Sequence, residues 1–145
     1  MSAASNYLEA KLLDHTLRYG TAPYTGVSTL YLALFNNTSG NAATNLEAGT
    51  LTDEVTTSAS AYSRKAVTFA AASAAGGTTS SASSATVTFD TATASWGSIT
   101  HIAIMDGATA GAGNVLFYGA VTTAKTIDTG DTFQVSSGNL TVALA

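Results

Sequence analysis

The fold is decided by two apolar stretches, WGSITHIAIM at residues 96–105 and VLFYGAV at residues 115–121. They contain the only tryptophan of the chain, Trp96, and its densest β-branched and aromatic runs. Such stretches, joined by a turn at Asp106-Gly107 and a Gly-rich loop, are typical of two strands in a hairpin. Both faces of the first stretch are largely apolar, which indicates a central strand. We therefore predict a β core with this hairpin, residues 94–121, at its middle.

The composition predicts one domain that packs against other subunits. The chain has 145 residues, 46% of them hydrophobic, and a chain of this size buries roughly two-thirds of its unfolded surface. Only 10% of the residues are charged, whereas the surface of a freely soluble monomer is expected to be about a quarter or more charged. Surfaces this neutral are often covered by neighbouring subunits.

Charge and cysteine content exclude several partners and sites. The net charge is −4, so no basic patch for nucleic acid is expected. The absence of cysteine excludes disulfides and thiolate metal ligands. No run of about 18 apolar residues is present, and we expect no membrane partner. The N-terminus lacks a basic segment followed by an apolar one, from which we expect synthesis in a cytoplasm.

Residues 6–18 are predicted to form a helix. Ser5 or Asn6 can cap its start, and Glu9 follows Asn6 by three residues, as in a capping box. Pro23 prevents the helix from continuing. A leucine stripe runs along one side of it: Leu8, Leu12, Leu13 and Leu17. We expect this stripe to be buried, either on the sheet of the same chain or as an arm, residues 1–20, that docks on a neighbouring subunit.

Further strands are predicted where β-branched and aromatic residues cluster between turn-forming segments. They lie at residues 29–35, 62–69, 86–89, 131–135 and 140–144. The last two are expected to form a hairpin around Ser136-Ser137-Gly138-Asn139. Short strands, one helix and no βαβ alternation favour a mainly β fold, an antiparallel β-sandwich that is jelly-roll-like. We assign the sandwich to residues 21–145 of a single domain, 1–145.

The connections between strands carry few large apolar residues. Residues 70–84 are rich in Ala, Gly, Ser and Thr and are predicted to be an exposed loop. Asp53 and Glu54 are expected in a solvated loop, with cation binding as the alternative. Arg64 and Lys65 form the only basic pair. We interpret them as charges at a strand edge, with a salt bridge between subunits as the alternative.

No motif predicts an active site. Asp128-Thr129-Gly130 matches the aspartic-protease tripeptide, but it lies in a polar turn where Asp and Gly are ordinary residues. His15 and His101 have no second histidine at ligand spacing, and Gly111-Ala112-Gly113 lacks the third glycine of a dinucleotide fingerprint. We predict no catalytic residue, no cofactor and no metal, and hence no enzyme.

Five segments, in order along nearly the whole chain, resemble a family of small virion proteins of tailed bacteriophages. These are NYLEAKLLDH (6–15), LYLAL (30–34), YSRKAVTF (62–69), ASWGSITH (94–101) and KTIDTGDT (125–132). Members are commonly labelled tail fibre-like. The resemblance implies a β-rich, self-associating structural protein of the virion, made in the cytoplasm of the host bacterium, without a catalytic motif. It does not distinguish head from tail.

Three functions fit these observations. The first is a capsid decoration or cement protein that stabilises the shell by binding the major capsid protein or other virion proteins; small size and the absence of a fibrous repeat favour it. The second is a tail fibre or tail-tip component that contacts the host surface. The third is a carbohydrate-binding module, which would need Tyr24, Tyr62 or Trp96 along an exposed groove.

Two further expectations concern packing and assembly. Trp96 is expected to anchor the core beside the central hairpin, because an aromatic side chain of this size dominates burial in a small β domain. We expect a homo-oligomer, a trimer on the strength of the resemblance and of the symmetry axes of phage particles. Its attachment should tolerate salt, because only five basic residues are available to be screened.

Overall fold

The computed structural model describes residues 3–18 and 23–144, which form ten strands and two helices. In chain order these are β1 (Ala3–Ala4), α1 (Asn6–Leu17), β2 (Leu30–Phe35), α2 (Ala42–Glu47), β3 (Lys65–Val67), β4 (Ser73–Ala75), β5 (Thr78–Ala82), β6 (Val87–Thr88), β7 (Gly97–Met105), β8 (Val115–Ile127), β9 (Gln134–Val135) and β10 (Thr141–Leu144). The predicted helix is confirmed as α1. The boundary expected between arm and sandwich, at residues 20–21, lies outside the described residues.

The largest sheet has five strands in the order β1-β8-β7-β2-β3, and all neighbouring strands are antiparallel. Strand β7 lies at its centre, as its apolar character on both faces predicts. It pairs with β8 along almost its whole length and with β2 over His101–Met105. The prediction of a mainly β, antiparallel sandwich with an N-terminal helix, organised around this hairpin, is confirmed.

The two smaller sheets, β10-β5-β4 and β6-β9, pack on one face of the large sheet. Successive side chains of β2 point to opposite faces of the large sheet and contribute apolar residues to both. Leu32 and Leu34 enter the core between the sheets, whereas Ala33 and Phe35 enter a second cluster on the opposite face, together with Leu46 of α2. The large sheet is therefore covered on one face by sheets and on the other by helix.

Aromatic rings fill the middle of the core between the sheets. Trp96 is only 2% exposed, as expected of a core anchor, and its Nε1 donates a hydrogen bond to the Ser60 carbonyl at 2.8 Å. Its ring meets those of Tyr62 and Phe89 edge to face, with centroids 5.6 and 6.1 Å away. Such pairs add about 0.5–1.5 kcal/mol beyond area burial.

Two segments fold differently from the prediction. Residues 70–84 contain the β4–β5 hairpin rather than a loop, because Gly76 and Gly77 both adopt positive φ, at 59° and 84°. Residues 131–135 and 140–144 do not form a hairpin with each other: β9 pairs with β6, and β10 pairs with β5. The turn between β9 and β10 is instead hydrogen-bonded to the segment after β5: the Gly138 amide donates to the Ser83 carbonyl at 2.8 Å.

Candidate assembly surface

Helix α1 is anchored to β8 at its first turn. Ser5 is fully buried and caps the helix: its hydroxyl accepts a hydrogen bond from the Leu8 amide at 3.3 Å and donates one to the Val115 carbonyl. The Ser5 amide donates to the Leu116 carbonyl at 3.0 Å. Of the two expected caps, Ser5 is therefore the one used, because its short side chain satisfies both the helix end and the strand.

The exposed fraction of the leucine side chains in the stripe increases along α1. Leu8 is 4% exposed, whereas Leu12, Leu13 and Leu17 are 37%, 58% and 74% exposed. Packing of the whole stripe on the chain's own sheet is therefore wrong. Because α1 packs mainly on β1 and β8, its later turns have little of the chain beneath them. We call Leu12, Leu13 and Leu17 the exposed leucine face; its cover by another subunit stays a prediction.

The later turns of α1 are also tied to the segment that follows. The Tyr24 amide donates a hydrogen bond to Nδ1 of His15 at 3.1 Å. Burial, followed by the nearby Tyr7 and Asp106 side chains, raises the pKa of Tyr24. Tyr24 thus lies between α1 and the turn after β7. The helix is held near both ends, and the exposed leucine face is presented on a fixed support.

Both helices lie on the same face of the large sheet. Tyr118 of β8 packs against the cluster that contains Leu46 of α2. Burial, followed by the carboxylates of Glu47 in α2 and Glu9 in α1, raises the pKa of Tyr118. Both carboxylates are therefore near its hydroxyl group. The helices lie opposite the smaller sheets.

A second apolar surface, which we call the apolar groove, opens on the other face. It lies between the large sheet and the three-stranded sheet and has a volume of about 280 Å³. Its apolar lining includes Leu30, Phe69, Leu116, Phe117, Val142 and Leu144. No charged side chain is among the described residues that line it. Leu144 is 50% exposed, so the groove remains open to solvent.

Arg64 is not a strand-edge charge but half of a buried ion pair within the chain. Its Nε and Nη2 donate to Oε1 and Oε2 of Glu54, both at 2.7 Å, and the two side chains are 0% and 3% exposed. The hydroxyl of Tyr62 also donates to Glu54, at 3.1 Å. The interpretations of Arg64 as an edge charge or an intersubunit bridge, and of Glu54 as solvated, are wrong. Bidentate geometry offsets the desolvation of both charges.

The same ion pair fixes the loop between β7 and β8. Nη1 of Arg64 donates to the carbonyls of Gly107 and Ala112, at 2.8 and 2.9 Å. The Gly111 amide donates to Oε2 of Glu54 at 2.8 Å. Each of these backbone groups belongs to the tip of the central hairpin. One buried charge pair therefore holds the tip in a single conformation.

Asp53 is buried as well, 3% exposed, which corrects the expectation of a solvated loop. Its carboxylate accepts hydrogen bonds from the Ser39 amide at 2.7 Å, the Ser39 hydroxyl at 2.6 Å and Nδ2 of Asn45 at 3.3 Å. Burial tends to raise its pKa, but these donors outweigh burial and hold the pKa of Asp53 below its usual value. These donors come from the loop between β2 and α2 and from α2 itself, so Asp53 holds this loop and the helix together.

The residues considered for catalysis and metal binding are not brought together. Asp128 accepts a hydrogen bond from the Ser95 hydroxyl at 3.0 Å, and its amide donates to Asp131 at 3.0 Å, as expected of a polar turn. Within residues 3–18 and 23–144, no three His, Asp or Glu side chains are grouped so as to hold a metal ion. In the same part of the chain, no helix is both long and apolar enough to cross a membrane.

Neither the groove nor the buried ion pair was predicted from the sequence. The groove brings together residues from Leu30 to Leu144, and no local pattern marks such distant neighbours. A signal for the ion pair was present in the low charge content, 10% of residues. The chain has few charged residues, and Glu54 and Arg64 both lie close in sequence to Tyr62, an aromatic residue of the core. This proximity favours a pairing of the two charges in the interior.

By class the chain is a structural protein of a bacteriophage virion, because a family model of that class matches residues 3–143. The family is described as Podophage GP4 fiber I protein gp80, and the chain belongs to it. The resemblance to a tail fibre-like family of virion proteins is thereby confirmed. Comparison with curated proteins gives no match.

Proposed function

We propose that this chain is a non-enzymatic structural component of a phage virion fibre, joined to neighbouring subunits through the exposed leucine face. The family match, whose description names a fibre protein, supports this place in the virion. The observation that carries the assembly role is the exposure of Leu12, Leu13 and Leu17 on an anchored helix. Exposed clusters of large apolar side chains mark interaction sites on soluble proteins.

Covering this surface contributes several kcal/mol towards association, which also has to offset the entropy lost when two subunits bind. Complete burial of a leucine side chain stabilises by about 1.5–3 kcal/mol. The exposed fractions of the three leucines amount to about 1.7 fully exposed leucines, so covering them contributes about 2.5–5 kcal/mol. The Asp14–Arg18 ion pair, 3.3 Å apart, is solvent-exposed and stabilises the helix itself by only about 0.3–0.5 kcal/mol. The attachment therefore rests on apolar contact and tolerates salt.

Capsid decoration is the second candidate. The described residues fold as one compact set of sheets with short strands, without the elongated repeat of a fibrous shaft. A compact subunit that binds the major capsid protein through the same leucine face would cement neighbouring shell subunits. This candidate shares the assembly surface with the first and differs from it in location and copy number.

The carbohydrate-binding hypothesis loses its support from the aromatic residues. Trp96 and Tyr62 are 2% and 3% exposed and lie in the core between the sheets. Tyr24 is half-buried between α1 and a turn. Side chains in these positions do not line an open groove for a sugar ring.

Micrographs of labelled virions test the proposal. The chain has no cysteine, so Thr57→Cys, at an exposed position outside the helices and strands, introduces a unique thiol for a gold label. We expect gold particles on the fibres, with a small whole number of labelled copies on each fibre. Gold spread over the shell in high copy would favour decoration, and virions without gold, despite folded labelled protein, would contradict both.

A further inference from the structure

We infer that the exposed leucine face of one copy packs into the apolar groove of a second copy, so that copies associate head to tail. The inference rests on the proposed structural role and names the partner of α1. The large hydrophobic side chains exposed in the described part of the chain are Leu12, Leu13, Leu17, Val27 and Leu144. Three of these five form the leucine face, and Leu144 lines the groove.

The two surfaces match in chemistry. The leucine face offers aliphatic side chains only, and the groove has a lining without charged groups among the described residues. A groove of about 280 Å³ is smaller than most pockets for drug-sized ligands, which span about 300–1,000 Å³. It is suited to a few aliphatic side chains. Asp14 and Arg18 neutralise each other beside the leucine face and can remain in water at the rim.

The geometry requires that the contact join different copies. The first turn of α1 is fixed to β8 by Ser5, and α1 shares a face of the large sheet with α2. The apolar groove opens on the opposite face, against the three-stranded sheet. A helix of 12 residues, about 18 Å long, that is held on one face does not reach a groove on the other. The leucine face and the groove are different patches, so the contact is heterologous.

The size of the contact indicates that each copy makes two of them. Half of the lateral surface of α1, a cylinder about 18 Å long and about 10 Å wide, is about 300 Å². A single helix-in-groove contact therefore buries about 600 Å² in total, less than the roughly 1,000 Å² of a stable interface. A copy that gives its helix to one neighbour and its groove to another is held twice. Heterologous contacts either close into a ring or continue as a filament, and a ring of three agrees with the trimer that the resemblance implies.

Cysteine cross-linking between copies tests this arrangement. Because the chain has no cysteine, each introduced thiol is unique. Leu17→Cys chains are mixed with tagged Ser80→Cys chains, Ser80 being a half-buried residue of the groove, and the mixture is oxidised. We expect disulfides between the two variants at a yield at least tenfold above that of Leu17→Cys mixed with Thr57→Cys. Equal yields in the two mixtures, or a dominant disulfide between two Leu17→Cys chains, would overturn the inference.

A second measurement uses the size of the purified protein. We expect light scattering to give a mass several times 14.5 kDa for the wild-type chain. The double variant Leu13→Gln/Leu17→Gln, which keeps good helix formers, should be monomeric, with a dissociation constant raised at least tenfold. Thr16→Gln, at an exposed polar position of the same helix, should leave the mass unchanged. A monomeric wild-type chain would overturn self-association, whereas the labelled virions test the structural role separately.

Discussion

Replacement of Arg64 by leucine tests how strongly the buried ion pair supports the fold. The change removes both 2.7 Å donors of the Glu54 carboxylate, which is 3% exposed, and leaves the carbonyls of Gly107 and Ala112 without their side-chain donor. Removing one partner of a buried pair costs about 3–5 kcal/mol. Because both side chains are almost inaccessible, solvent screening gives no reduction. At about 2–4 °C per kcal/mol, we expect the midpoint of thermal unfolding to fall by about 6–20 °C.

Urea denaturation followed by the fluorescence of the buried Trp96 measures this loss. Lys65→Leu is the matched control, because Lys65 adjoins Arg64 in sequence but pairs with Asp90 at the surface, at 2.6 Å, with the side chains 24% and 61% exposed. Such pairs contribute about 0–1 kcal/mol. The double variant with Glu54→Leu should lose less than the sum of the two single losses, because no unpaired charge remains. Equal, small losses for the Arg64 and Lys65 variants would refute the role of the buried pair.

Three further predictions concern the core, the pH dependence and the backbone. Trp96→Ala should cost about 3–5 kcal/mol in the free energy of unfolding, since it empties the aromatic core and leaves the Ser60 carbonyl without its indole donor; a midpoint of urea denaturation equal to wild type would contradict this. Burial lowers the pKa of His101 in the folded chain, against the opposing effect of Asp53. The unfolded chain therefore binds the proton more tightly, and the free energy of unfolding should fall as the pH drops from about 6.5 towards the lower pKa of the folded chain. His101→Gln should flatten thermal midpoints measured from pH 8 to pH 5, and an unchanged slope would count against the assignment. Ala61 has a φ of 56°, so Ala61→Gly should stabilise by about 0.5 kcal/mol after the entropy cost of glycine, whereas Ala66→Gly in strand β3 should destabilise; equal losses in urea would show that no strain is relieved.

Local patterns predicted the elements that local sequence determines. The central hairpin and β2 are rich in strand formers and end at recognisable turns, and α1 combines an apolar stripe with a cap. Each is found where it was expected, except that β8 continues to Ile127, beyond the predicted end at Val121. The β4–β5 hairpin was missed because its strands contain Ser, Thr and Ala, whose weak apolar signal resembles that of a loop. The paired glycines at its tip, Gly76 and Gly77, were the available signal.

Pairings between distant segments could not be predicted in the same way. The hairpin expected for residues 131–144 followed the tendency of sequential strands to pair, but β9 and β10 pair with strands about 50 and 60 residues earlier. The partner of Arg64 was missed for the same reason, because a side chain buried from a loop is positioned by the tertiary fold. The spacing of the leucines predicted an apolar side of α1 but does not say what covers it.

The most direct test of the assembly role is the amount of this protein retained on virions. Virions lacking the protein are complemented with wild type, with Leu13→Gln/Leu17→Gln or with Thr16→Gln, washed in about 1 M salt, where the screening length is about 3 Å, and quantified for bound chain. We predict that wild type and Thr16→Gln stay bound, whereas the amount of bound leucine variant, folded as judged by an unchanged circular-dichroism spectrum, falls at least tenfold. Full retention of the folded leucine variant, or release of wild type by salt, would contradict an apolar assembly surface on α1.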